Sequence, residues 1–112
     1  MQESPIFTRT FDMLVWLLPA TMLFPKGQRF VLAQRVQQAG LNFYEAITAA
    51  AVSSKAGRHL EQADIELQRL RLHLRLSHRL DLMSMGQYEH ISKMVVEIGK
   101  LLGGWYKKER GV

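Results

Sequence analysis

The sequence predicts an all-α fold, an antiparallel up-down-up-down four-helix bundle made by one domain over residues 1–112. Three observations predict it. Apolar residues recur at helical spacing through every long segment. Proline, glycine and capping signals cut the chain into four pieces of bundle-helix length joined by short links. The one stretch that alternates like a strand, LRLHLRLSHRL, has no second strand to pair with.

The first helix is predicted over 5–24. Ser4-Pro5 supplies an N-cap followed by proline at the first helical position, where its missing N–H costs nothing. Pro19 is expected to kink the helix, and Pro25-Lys26-Gly27 to end it. The apolar run MLVWLLPATMLF falls short of the roughly 20 residues that span a bilayer. It also lacks the basic lead and small-residue cleavage site of a signal peptide. A buried core helix in a soluble, cytoplasmic protein with no membrane partner is the expectation.

The second helix is predicted over 28–55. At 100° per residue, Leu32, Val36, Ala39, Phe43, Ile47 and Ala50 share one side, with Gln34, Gln38, Asn42 and Glu45 opposite. Gly57 is expected to stop it. The third helix, 58–82, contains the alternating stretch. A strand there would need boundaries, yet no glycine or proline occurs between Arg58 and Met85. Leucine, arginine, glutamine and glutamate dominate, all good helix formers, and Ile65 is the one β-branched residue. Two overlapping helical stripes then produce the alternation. The fourth helix, 85–105, opens on a capping box, Ser84 with Gln87 three residues on. Tyr88, Ile91, Val95, Ile98, Leu102 and Trp105 fall on one face, and Glu89–Lys93 is an i,i+4 pair on the other. Gly103-Gly104 and the basic tail are expected to fray.

A chain of 112 residues with 47% hydrophobic content buries a real core without staples. Cysteine is absent, which excludes disulfides, thiolate catalysis and thiolate-rich zinc sites. Fifteen Lys and Arg against ten Asp and Glu leave a net +5, a balance that favours polyanionic partners.

The stripes of the third helix carry the functional reading. Leu60, Ala63, Leu67, Leu70 and Leu74 form one apolar row. Ile65, Leu72, Leu76 and Leu80 form a second, on the far side of the helix. One helix of a monomeric bundle needs a single buried stripe, so the second row predicts an oligomer interface. A monomer with this helix sunk deep in the bundle is the alternative. Between the rows, Arg71, Arg75 and Arg79 follow one another at a spacing of four, with Asp64 their one acidic neighbour. Guanidinium groups match phosphate geometry and stay charged, which makes the row a candidate nucleic-acid contact. A solvated face, or salt bridges between subunits, fits the same pattern.

Other chemistry finds little support. His73 and His78 are five apart and do not share a helical face as an i,i+4 metal pair does; His59 and His90 stand alone. No Glu-x-x-His pair of the di-iron kind occurs, and GKLLGGW matches no phosphate loop. No catalytic residue, metal or cofactor is therefore assigned, and a non-enzymatic role is expected. The aromatic residues sit where core or interface packing needs them.

FDMLVWLLPATMLFPKGQRFVLAQRVQQA, LRLHLRL and QYEHISKMVVEIGKLLGGWYKK together resemble the accessory variability determinant (Avd) proteins of diversity-generating retroelements. These belong to a wider set of four-helix proteins that includes those encoded by intervening sequences in ribosomal RNA genes. The likeness covers nearly the whole chain; FPKGQRF and EIGKLLGGW are its more specific pieces. It implies a basic, ring-like homopentamer that binds the element's reverse transcriptase, its template RNA and the cDNA, and supports mutagenic reverse transcription without being a polymerase. The family's Leu-Arg…Leu-Arg pattern falls on Leu70-Arg71 and Leu74-Arg75, so these arginines become the first nucleic-acid-binding candidates. Arg79 extends the row by geometry alone. Arg29 and Arg35, near the start of the second helix, and Lys107 and Lys108 in the tail are further candidates. A structural assembly protein of the ribosomal intervening-sequence type, with no polymerase partner, is the alternative function.

Overall fold

A computed structural model describes residues 4–111, with the backbone alone for residues 28–30. Four long helices make the fold: α1 (Pro5–Met22), α2 (Gln34–Val52), α3 (Ala56–Arg79) and α4 (Met85–Glu109). No strand occurs among the described residues. α1 packs against α2 and α4, and α3 against α2 and α4, so α1 and α3 lie diagonally across an elongated bundle of 44 × 23 × 23 Å. That is the cyclic order short links impose on antiparallel neighbours.

The stretch 70–80 is helical almost to its end, with α3 running unbroken through Arg79. The apolar faces expected of the helices form the core. Leu60, Ala63, Leu67, Leu70 and Leu74 of α3 meet Val36, Ala39, Phe43, Ile47 and Ala50 of α2 and Ile91, Val95, Ile98 and Leu102 of α4. Met13, Leu14 and Leu17 close the fourth side. Each fully buried large side chain contributes about 1.5–3 kcal/mol. Gly40 permits a close approach of α1 to α2, since a Cβ there would lie 3.0 Å from Leu14 Cδ2.

Several boundaries differ from expectation. α1 stops at Met22, two residues before its expected end. Ser4 occupies the cap position without bonding through its side chain. The second segment begins with a turn at Lys26–Gln28, passes through a π-helical stretch at Arg29–Ala33, and becomes α2 only at Gln34. Gly57 does not stop that segment; it lies in the first turn of α3. The break falls at residues 53–55, where the Ser53 backbone is extended and its Oγ accepts from the Lys55 N–H. Gly103-Gly104 does not fray α4, which continues to Glu109 because Trp105 packs against Phe7 and Tyr106 bonds to Glu61. Both hydrogen bonds of the Ser84–Gln87 capping box are present. Glu89 and Lys93 stay exposed and form no ion pair, whereas Arg9 of α1 pairs with Glu97 of α4.

Candidate nucleic-acid interface

The third helix positions the candidate arginines because its core row leaves their flank free. A spacing of four residues advances 400°, so each step along the row turns it another 40° around the axis. Arg71 and Arg75 therefore face α4, whereas Arg79, in the last turn of α3, has rotated toward the outer leucine face. Arg71 and Arg75 rim a groove of about 230 Å³ between α3 and α4, with Tyr88 and Ser92 across from them and Leu74 and Val95 at its apolar wall. No carboxylate lines it. None of Arg71, Arg75 and Arg79 pairs with a described carboxylate. Tyr88 is held by stacking on His78, with ring centroids 4.5 Å apart and planes 5° from parallel.

Arg35 is brought to a different place. It borders a second recess, of about 280 Å³ between α2 and α3, with Gln38, Asn42, Glu66, Arg69 and His73. Glu66 is 4% exposed, and its carboxylate accepts from Arg69 Nη1 at 2.9 Å and Gln62 Nε2 at 3.0 Å, which answers the cost of burying it. His73 lies beside this pair with Nδ1 buried and unbonded. Burial first, then the charges of Arg35 and Arg69, hold its pKa below the ordinary 6.5. Glu66, Arg69 and His73 do not stand out as a group in the sequence. The Glu66–Arg69 spacing of three, with glutamate inside the core arc, was the available signal.

Lys107 and Lys108 are exposed near the end of α4. Tyr106 is level with Glu61 on α3, which sets this tail about 20 Å along the bundle axis from Arg75. The tail and the arginine groove are separate basic regions. The Arg29 side chain lies outside the described residues.

The second leucine row is not sunk in the bundle. Ile65, Leu72, Leu76 and Leu80 are 46%, 60%, 44% and 52% exposed. The monomeric alternative, in which this helix buries both rows, is not what the fold shows. A second outward apolar stripe was missed. Phe11, Val15 and Met22 of α1 are exposed, with half-buried Leu18 between them, at spacings that place all four within about 60° of one another. Their i, i+4, i+7, i+11 pattern was legible, but it was absorbed into a uniformly apolar segment.

The fold and these surfaces define a basic four-helix-bundle protein with an acid-free cationic groove between α3 and α4 and uncovered apolar stripes on α1 and α3. Residues 6–109 match the model of the bAvd-like family, and the chain belongs to that family. No curated protein matches it. Family membership points to an accessory role in diversity-generating retroelements. Among the described residues, no helix is long and apolar enough to cross a membrane, and no cluster of three or more His, Asp or Glu side chains could hold a metal ion.

Proposed function

We propose that this protein is a non-catalytic, homo-oligomeric adaptor that holds a retroelement reverse transcriptase together with its template RNA and cDNA. The observation that carries the reading is the groove at Arg71 and Arg75. Two arginines line a recess together with Tyr88 and Ser92 and no carboxylate, in a chain of net charge +5. Like charges one helical turn apart repel, so the fold gains nothing from leaving them uncompensated unless an anion arrives.

The two apolar faces support assembly as a ring. They lie on α1 and α3, the diagonal helices of the bundle. Two unlike faces on one chain join head to tail, and such contacts close into a ring where the rotation between successive copies closes. A homopentamer of the kind the Avd resemblance implies is one such closure, and it repeats the arginine groove around a belt.

Co-expression with the reverse transcriptase encoded by a neighbouring gene tests the reading. A tagged chain should retain that enzyme and its template RNA in stoichiometric amounts, and Arg71→Glu/Arg75→Glu should lose the RNA. Recovery of an intact ring with no polymerase would favour the structural assembly role instead.

A further inference from the structure

The Arg71 guanidinium lies against bare backbone. A Cβ built at Gly99 of α4 would fall 2.6 Å from Arg71 Nη2, closer than two such atoms can stand, with Arg71 Cζ at 3.8 Å. The α3 arginine thus reaches across to α4 and rests where a side chain is missing. Arg71 makes no hydrogen bond or ion pair there, so its N–H donors stay available.

The other glycines of α4 differ. A Cβ at Gly103 or Gly104 would meet nothing within 4 Å, and one at Gly86 would only reach the Ser84 hydroxyl at 4.0 Å. Glycine in a helix interior weakens the helix relative to alanine. At Gly99, a specific neighbour occupies the space that glycine leaves.

We infer that Gly99 is a positioning residue for nucleic-acid binding: its absent side chain is the seat from which Arg71, beside Arg75, addresses a backbone phosphate of its own at the α3–α4 groove. The inference rests on the proposed nucleic-acid role of those arginines. With any larger residue at position 99, the guanidinium must swing off the α4 backbone, and its donors leave their place beside the groove. The atom displaced is the far end of a flexible side chain, so the fold survives the change while the geometry of the groove does not.

The test uses the full chain with a fluorescently labelled single-stranded RNA of mixed sequence. Binding is measured across a salt series for wild type, Gly99→Ala, Gly103→Ala, Arg71→Ala and Arg71→Ala/Gly99→Ala. Gly99→Ala should melt no lower than wild type, yet bind about tenfold more weakly, as expected for one charge-assisted contact. Its salt slope should fall by about 0.7, the value of one single-strand phosphate contact. Gly103→Ala should bind as wild type, and the double variant no more weakly than Arg71→Ala.

If Arg71→Ala weakens binding while Gly99→Ala leaves it unchanged, the positioning role is wrong and the adaptor reading stands. If Arg71→Ala itself binds as wild type, the adaptor reading loses its carrier and takes this inference with it. Losses that multiply in the double variant would show Gly99 acting independently of Arg71, and lost helicity in Gly99→Ala would assign the glycine to packing. Either result overturns the proposal.

Discussion

The Tyr106 hydroxyl donates a 3.0 Å hydrogen bond to Glu61 Oε2, tying the last turns of α4 to the first turns of α3 across 45 residues of sequence. That bond, together with the Phe7–Trp105 ring contact at 6.0 Å, carries α4 past two consecutive glycines. Tyr106→Phe keeps the ring and removes the donor. Amide exchange at residues 105–109 should accelerate while residues 87–98 keep their protection. Unchanged exchange in the tail would show that ring packing alone holds it. The hydrogen bond to Glu61 leads the causes that raise the Tyr106 pKa above 10.0, so the contact is present below that pH and lost as pH climbs through the raised value.

His73 predicts a loss of stability on the acid side. Its folded-state pKa is depressed by burial and by Arg35 and Arg69, so below pH 6.5 the unfolded chain binds the proton more readily than the folded one. The contribution is complete above the unfolded value and declines as pH falls toward the folded one. One titrating group changes stability by at most about 1.4 kcal/mol per pH unit. Glu66 borders the same recess. Melting of wild type and His73→Gln between about pH 8 and pH 5 should show the shallower acid decline in the variant. Parallel curves would remove His73 as the cause.

The outward apolar faces predict a complementation experiment. Val15→Glu spoils the α1 face and Leu76→Glu the α3 face, each at an exposed position where the monomer fold loses little. Each variant alone should sediment as a monomer, because a carboxylate buried in an apolar contact costs several kcal/mol. Mixed in equal amounts, they should form heterodimers through the one contact whose two faces are both intact. A mixture that stays monomeric, or a wild type that does, would exclude head-to-tail association through α1 and α3.

The arginine groove predicts a salt signature. Log affinity for single-stranded RNA falls linearly with log salt, with a slope of about −0.7 per phosphate neutralised. Arg71→Glu/Arg75→Glu should reduce that slope by about 1.4 per subunit engaged, whereas Arg79→Ala should change it less, since Arg79 has rotated out of the groove. Titrations at several salt concentrations, on variants shown by sedimentation to keep their assembly, check both statements. Equal effects of Arg79 and Arg75 would mean that RNA follows the helix ridge and not the groove.

Local pattern was enough to place the four helices and the faces they bury. Periodicity at 3.6 residues is a local property, and Val36, Phe43, Leu67 and Ile98 had to face inward wherever the helices packed. The Ser84–Gln87 cap was equally legible, because both partners lie within one turn. The arginine row was visible as a spacing of four, and so was the second leucine row. Tertiary structure alone decided that Arg71 and Arg75 share a groove with Tyr88 and Ser92 while Arg35 joins a different recess around Glu66. It also decided that α4 passes through Gly103-Gly104, and that Gly99 lies beneath Arg71. The reason is physical. Helix periodicity fixes the direction of a side chain about its own axis, but which residue of a neighbouring helix lies opposite depends on packing register, and register is set by the whole core at once.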